Sequence, residues 1–346
     1  MYSFIKPFIF NLDPEVAHDL AIQSLKFNFV PEYFFSVQDE EMLQNNVFGQ
    51  QFSNPIGLAA GFDKNAEVYN SLFKFGFGFV EVGTITPQIQ LGNPKPRIFR
   101  LEEDKALINR LGFNNQGMDT IKQRIKKNPP NNVLGINIGP NKNTKDKITD
   151  FLKCYSSFYD LANYITINIS SPNTENLRDF HNQELLQELI VQIKKIKLNK
   201  QVPLAIKLSP DTEESSYDKI LKVLLDNKIE VVILTNTTDQ NRTQLMSKNK
   251  IEKGGLSGLP LRDISSKMIR DFYKLSKGKF KIIGVGGIDS GESAFEKISY
   301  GASLVQLYTS MVYQGPNIVK KIKEELIQIL RKEKIDNISK AIGINS

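Results

Sequence analysis

Residues 164–174 read Tyr-Ile-Thr-Ile-Asn-Ile-Ser-Ser-Pro-Asn-Thr. Ile165, Ile167 and Ile169 alternate with Thr166, Asn168 and Ser170, and β-branched residues dominate, so the stretch predicts a strand. It ends in Ser171-Pro172-Asn173-Thr174. Proline fixes φ and asparagine tolerates unusual backbone angles, so these four residues read as a turn. Asn168, Ser171 and Asn173 are thereby gathered where a strand leaves a sheet. A serine before a proline is, by itself, a turn residue; any chemistry depends on what else reaches the same place.

On either side of this stretch the chain keeps one rhythm. Short apolar runs at Ile56–Ala60, Phe79–Gly83, Val133–Ile138, Tyr164–Ile169, Leu204–Leu208, Val231–Thr235, Lys281–Val285 and Leu304–Tyr308 alternate with helical patterns. Ile148, Phe151, Leu152, Tyr155 and Tyr159 make one helix face. Leu186, Leu189, Ile190 and Ile193 make a second, and Tyr217, Ile220, Leu221, Leu224 and Leu225 a third. Strands alternating with helices in this way predict an α/β fold, a (β/α)8 TIM barrel. A doubly wound sheet competes, but its glycine fingerprint is missing, since Gly76-Phe77-Gly78 precedes a strand. Val47 to Phe52 reads as a small hairpin. Two long connections, 84–132 and 236–279, are expected to carry function. One more helix over 317–332 closes the outer ring, and the Lys/Asn-rich tail to Ser346 reads as a frayed extension.

Residues 1–40 read as a small N-terminal helical extension, with the barrel over 41–346. Asp13 is placed as an N-cap with Pro14 at the first helical position. Ala17, Leu20, Ala21, Ser24 and Leu25 fall on one helix face. Phe27, Phe29, Val30, Tyr33, Phe34 and Phe35 follow. This apolar unit is either ordinary core or a surface that dips into a membrane interface.

Composition removes several function classes. The chain has 346 residues, 40% of them hydrophobic and 24% charged, which fits a globular protein with a real core. A single cysteine, Cys154, excludes an internal disulfide and a multi-cysteine metal site. His18 and His181 lie far apart, against a histidine metal site and against a Ser-His-Asp triad. The net charge of +7 is spread over helix faces, with no basic arm or RNA-binding motif, so nucleic acid is not an expected partner. No apolar run reaches the roughly 20 residues that span a bilayer, and no signal peptide is expected.

In such barrels the active site lies at the C-terminal ends of the strands. Those ends deliver Gly61-Phe62-Asp63-Lys64, Thr84, Asn137, Asn168 with Ser171, Lys207, Thr235-Asn236-Thr237, Gly286-Gly287 and Tyr308-Thr309. The set holds many neutral donors and acceptors, two lysines and few carboxylates. It suits a planar, polar, anionic ligand, and neither paired-carboxylate glycoside chemistry nor a divalent metal. The glycines after the seventh strand and Tyr308-Thr309-Ser310 after the eighth stand where phosphate is commonly held by backbone N–H groups.

The stretches A-A-G-F-D-K (59–64), E-V-G-T-I-T-P (81–87), P-K-P-R-I-F-R-L (94–101), N-R-L-G-F-N-N (109–115), G-I-N-I-G (135–139), I-N-I-S-S-P-N-T (167–174), T-N-T-T (235–238), G-G-L-S-G (254–258) and G-V-G-G-I-D-S (284–290) make the sequence resemble the dihydroorotate dehydrogenases of the quinone-dependent, membrane-associated class 2. The resemblance runs from the first residue to about residue 325. It implies one flavin mononucleotide (FMN) at the barrel mouth and oxidation of dihydroorotate to orotate in pyrimidine synthesis. It implies Ser171 as the general base for the C5 proton, with a hydride leaving C6 for the flavin. No histidine is available by sequence to activate Ser171, so desolvation, ligand geometry and a water or threonine relay are expected to assist.

By the same resemblance Ala60, Gly61, Lys64, Thr84, Asn137, Asn168, Lys207 and Thr235 contact the flavin, and Gly258, Gly287, Tyr308 and Thr309 its phosphate. Lys64, Asn109, Arg110, Leu111, Gly112, Phe113, Asn168, Asn173, Asn236 and Thr237 hold dihydroorotate. The N-terminal unit becomes a quinone tunnel, with His18 and Arg100 at its inner end. A membrane quinone and peripheral contact with lipid on the cytoplasmic side of the cell membrane are then expected. Phe62, Asn65 and Val312 depart from the family pattern. A soluble flavin barrel, a non-redox phosphate-ligand barrel and an RNA-binding protein are the rivals.

Overall fold

The computed structural model describes residues 2–27, 40–240 and 242–346. In chain order the N-terminal helices are α1 (Tyr2–Phe10) and α2 (Pro14–Lys26), followed by the hairpin β1 (Asn45–Val47) and β2 (Gln50–Phe52). Then come β3 (Ile56–Leu58), α3 (Tyr69–Phe73), β4 (Phe79–Ile85), β5 (Ile98–Leu101), β6 (Ala106–Asn109), α4 (Met118–Lys127), β7 (Val133–Ile138), α5 (Lys147–Phe158), β8 (Tyr164–Asn168) and α6 (Gln183–Lys194). The second half holds β9 (Leu204–Leu208), α7 (Tyr217–Asp226), β10 (Val231–Leu234), β11 (Gly255–Gly258), α8 (Arg262–Ser276), β12 (Lys281–Val285), α9 (Gly291–Ser299), β13 (Ala302–Leu307), α10 (Thr309–Gln314) and α11 (Ile318–Lys332). Strands β3, β4, β7, β8, β9, β10, β12 and β13 form a closed barrel in that order, each pair parallel. The predicted barrel is thus observed, and all eight predicted runs lie on its strands.

The floor of the barrel is aromatic. Phe52 from the hairpin meets the Phe79 ring edge-on at 5.3 Å, and Phe79 meets Tyr164 at 6.4 Å. Gly57 and Gly135 make room for these rings, because a Cβ at either would overlap Phe79 or Tyr164. The expected hairpin therefore acts as a plug for the N-terminal end of the barrel, and the ligand space is left at the other end.

The two long connections are more ordered than their sequence implies. β5 and β6 form a hairpin, β11 adds to β6, and the three antiparallel strands make a small sheet over the barrel mouth. The short strands sit among Pro, Gly and Asn residues, which hides their alternation.

One expectation is corrected, and the choice left open for the N-terminal unit is narrowed. The tail is not frayed: Ile338 and Ala341 are buried, and the Asn345 N–H donates to the Ser299 carbonyl at 2.9 Å. Two apolar residues in a Lys/Asn-rich stretch are buried, and the Asn337 amide adds bonds to the Glu41 and Gln44 carbonyls at 3.1 Å. On α2, Asp13 caps the helix as predicted, accepting from the Glu15 and Val16 N–H groups. The buried face, however, is Glu15, Ile22 and Leu25, while Leu20 and Val16 are 53% and 47% exposed. An ion pair sets this rotation. Glu15 accepts from Arg97 Nη2 at 2.6 Å and Nε at 3.1 Å, which turns the apolar stripe outward. On α1, Phe4 and Phe8 are 80% and 75% exposed. The aromatic stretch Phe29 to Phe35 lies outside the described residues. Among the described residues no helix is long and apolar enough to cross a membrane.

Candidate active site

A cavity of about 460 Å³ opens at the C-terminal ends of the barrel strands, roofed by β5, β6 and β11. Ser171 lies in its wall, together with Ala60, Gly61, Lys64, Thr84, Asn168, Lys207, Thr235, Gly258, Gly287, Tyr308 and Thr309. Asn109, Leu111, Gly112, Phe113, Asn173, Asn236 and Thr237 line the same space. Side chains from distant parts of the sequence thus converge on one volume, most at the ends of strands of the closed sheet, and Asn109, Leu111, Gly112, Phe113 and Gly258 from the roof sheet and the loop after it.

Hydrogen bonds fix their orientation. Asn168 Nδ2 donates to Thr84 Oγ1 at 3.0 Å, and Asn236 Nδ2 donates to Ser170 Oγ at 2.9 Å. Asn173 Nδ2 donates to the Asn109 carbonyl at 3.1 Å, which joins the Ser171 turn to the roof. Ser171 Oγ accepts from the Asn173 N–H at 3.2 Å. Among the described residues its own proton has no protein acceptor. Neither histidine lines the cavity.

Two of the cations expected from the sequence, Lys207 and Lys64, face this volume. Lys207 is 5% exposed and makes no hydrogen bond to protein among the described residues. Burial lowers its pKa, with the Glu81 charge opposing. Lys64 is lowered to about 8, again by burial first, with the Glu15 charge opposing. Buried ammonium groups without protein acceptors are held for a ligand that accepts. Ser310 Oγ is likewise buried at the cavity wall and has no partner among the described residues.

Residues 42–330 match the family described as dihydroorotate dehydrogenase. The chain belongs to that family. The "Dihydroorotate dehydrogenase (quinone)" of Rhodospirillum rubrum is 44% identical over 346 residues, covering 99% of this chain and 94% of the relative. The mitochondrial enzyme of the same name from Mus musculus is 41% identical, covering 96% of this chain and 87% of its own. Among solved structures, the dihydroorotate dehydrogenase of Eimeria tenella in complex with ferulenol superposes with a TM-score of 0.92 at 40% identity, covering 96% of both chains.

Dihydroorotate dehydrogenases are flavin-dependent, and this cavity fits a flavin. It offers a buried unpaired ammonium at Lys207, neutral donors around Asn168 and Thr235, and a glycine cradle. Gly287 has φ +69°, and a Cβ there would lie 2.5 Å from the Arg262 Cα. Only glycine lets this turn at the cavity wall pack so closely against the start of α8.

Four residues expected at the site do not line the cavity. Asn137 lies behind Thr84 and accepts its hydroxyl at 2.7 Å. Arg110 turns outward, pairing with Glu252 at 2.7 Å and stacking 4.6 Å above the Phe99 ring. Arg100 donates to the Phe10 and Leu12 carbonyls at 3.0 and 2.8 Å, capping the end of α1. His18 packs edge-on against Phe62 at 5.0 Å, and Phe62 in turn meets Tyr308 at 5.7 Å. An aromatic path therefore runs from α2 into the cavity. Burial, then the Lys64 charge, lowers the His18 pKa to about 3, so the imidazole is neutral at working pH. Lys6, Lys105, Gln306 and Tyr313 also line the cavity and were not read from the sequence. Their elements come from α1, the β5–β6 turn, a strand interior and α10, none of which is a strand end.

Proposed function

We propose that the cavity brings FMN and dihydroorotate together, in an enzyme that oxidises dihydroorotate to orotate for pyrimidine synthesis and passes the electrons to a quinone. The observation that carries this reading is the convergence of Ser171, Lys64, Lys207 and the asparagines on one enclosed volume. FMN bound there supplies the acceptor for the hydride that leaves C6 of the substrate. Ser171 takes the C5 proton, which is partly acidic because it lies next to a carbonyl, while its own hydroxyl proton passes on to a water. The bond from the Asn173 N–H fixes the Ser171 oxygen, and the lack of a protein acceptor for its proton among the described residues leaves that proton free for such a relay.

Lys207 sets positive charge beside the flavin ring, where reduction builds negative charge. Lys64 serves the substrate carboxylate, and Asn109, Asn168, Asn173 and Asn236 serve its amide edges. Gly258, Gly287, Tyr308 and Thr309 offer backbone and hydroxyl groups to the phosphate.

Residues 1–40 act as the quinone-facing unit in this reading, with a peripheral seat on the cytoplasmic side of the cell membrane. The exposed Phe4 and Phe8 support that seat, and the path His18–Phe62–Tyr308 supports a quinone route from it. Arg100 steadies this unit through the end of α1. The test is anaerobic mixing of the yellow protein with dihydroorotate. The flavin absorbance bleaches and returns on addition of quinone. A colourless protein that cannot be reconstituted with FMN, or a flavin that dihydroorotate leaves oxidised, overturns the reading.

A further inference from the structure

Beneath the cavity, inside the barrel, lies an acid that the proposed chemistry does not use. Glu81 on β4 is fully buried. Three donors converge on its two oxygens: Asn137 Nδ2 at 2.8 Å on one, and Tyr164 Oη at 2.9 Å and Gln306 Nε2 at 3.0 Å on the other. A carboxylate is the side-chain group that can accept at both oxygens and donate at neither. Each neighbour must therefore present a donor to it.

That demand propagates. Because Asn137 spends its amide nitrogen on Glu81, its oxygen faces Thr84 and accepts the Thr84 hydroxyl at 2.7 Å. Thr84 has then committed its only proton, so it can only accept, and Asn168 Nδ2 donates to it at 3.0 Å. Asn168 must turn its oxygen the other way, where Ser170 Oγ at 2.9 Å and Asn236 Nδ2 at 3.3 Å donate to it. Every bond from Asn236 to Glu81 points in one direction. The chain leaves the closed floor of the barrel and ends on cavity residues.

We propose that Glu81 is a positioning residue that sets which way the active-site amides face. An amide can flip at little steric cost, since its oxygen and nitrogen are nearly the same size. A buried anion at the closed end removes that freedom from Asn137, and through Thr84 from Asn168. The same demand on Gln306 accounts for a second observation: its Oε1 is buried at the cavity wall without a partner among the described residues, held there because its nitrogen serves Glu81. This inference rests on the assignment of the cavity to flavin and dihydroorotate.

The test uses the intact flavoprotein and two variants. Glu81→Gln keeps the shape but offers one donor and one acceptor, so an amide must flip or a donor go unpaired. Glu81→Gln with Asn137→Asp moves the carboxylate one link along and restores the direction at Thr84 and Asn168. The measurements are orotate affinity from the flavin absorbance change, flavin content, and melting temperature. Glu81→Gln that retains flavin is expected to bind orotate about tenfold or more weakly, and the paired variant to recover to within about threefold of wild type. Unchanged orotate affinity in Glu81→Gln overturns the proposal, as does a folded paired variant no better than the single one. Should Glu81→Gln not fold, the paired variant decides alone: affinity near wild type supports the proposal and a tenfold loss overturns it. Wild-type protein that dihydroorotate fails to bleach would instead remove the assignment of the cavity.

Discussion

At the scale of single residues, Ser171 carries the proposed proton transfer with little visible help. Its oxygen accepts one backbone N–H, and no imidazole lines the cavity. General-base catalysis is worth about 100-fold to 10,000-fold, so Ser171→Ala should slow flavin reduction by at least about 100-fold while orotate still binds. Anaerobic stopped-flow absorbance reads this directly, and an unchanged rate removes Ser171 from the role. Lys64 gives a pH signature. Its pKa is lowered to about 8, so it is a cation below that pH and neutral above it, whereas the orotate carboxylate stays charged throughout. Orotate affinity should hold below pH 8 and fall as pH rises beyond it, and Lys64→Ala should flatten the profile. A wild-type profile that stays level between pH 7 and 9.5 would count against Lys64 as the carboxylate partner. These residues were legible in the sequence because they follow strands, and strand ends share one rim. Glu81 was not, because it sits within an apolar run, where nothing in the pattern distinguishes an inward acid serving a buried network from an outward one. Arg110 lies within a family motif, yet its side chain turns to Glu252. A motif fixes the backbone path there but not the direction of a long side chain.

At the scale of elements, the docking of α2 depends on one buried ion pair. Burial pushes the Glu15 pKa up, but the hydrogen bond and charge of Arg97, with Lys95, outweigh it and leave the pKa lowered. The pair therefore stabilises above the usual glutamate pKa, and that contribution is lost as pH falls through the depressed folded value. Arg97 also donates to the Leu91 and Asn93 carbonyls at 2.7 and 2.9 Å, so it ties α2 to the strand-preceding loop. Arg97→Ala leaves a buried carboxylate with only the exposed Lys95 beside it, which should cost about 3 kcal/mol. Denaturant unfolding followed by a probe on α2 should show the loss, and a stability within about 0.5 kcal/mol of wild type would refute it. The same pair explains why the cap of α2 was legible in the sequence and its orientation was not. Asp13 and Pro14 are local signals. The rotation of the helix was decided by Arg97, far away in sequence, and it overrode the apolar stripe. The roof sheet was missed for a related reason. Its strands are only four residues long, and their pairing partners sit in two different connections.

At the scale of the whole molecule, two surfaces of opposite character are held by one frame. The barrel mouth gathers amides, hydroxyls and lysines around a concave cavity, while α1 and α2 turn phenylalanine, leucine and valine outward. Exposure of Phe4 and Phe8 in a lone soluble protein has no benefit to stability, whereas burying each in hydrocarbon is worth about 2 kcal/mol. The net charge of +7 adds attraction to anionic lipid. Replacing both phenylalanines by serine should release the protein from vesicles that contain anionic lipid. Turnover with a long-chain quinone dissolved in those vesicles should then fall about tenfold or more, a cautious fraction of the roughly 4 kcal/mol at stake because insertion is partial. Flavin reduction by dihydroorotate should not change, since neither phenylalanine lines the cavity. Turnover with a short-chain quinone soluble in water should also persist, because that acceptor needs no membrane to reach the protein. Those controls separate the membrane seat from the tunnel. Loss of short-chain turnover as well would mean that the substitutions had damaged the quinone route. Full turnover with the vesicle-borne quinone would mean that α1 does not mediate contact with lipid.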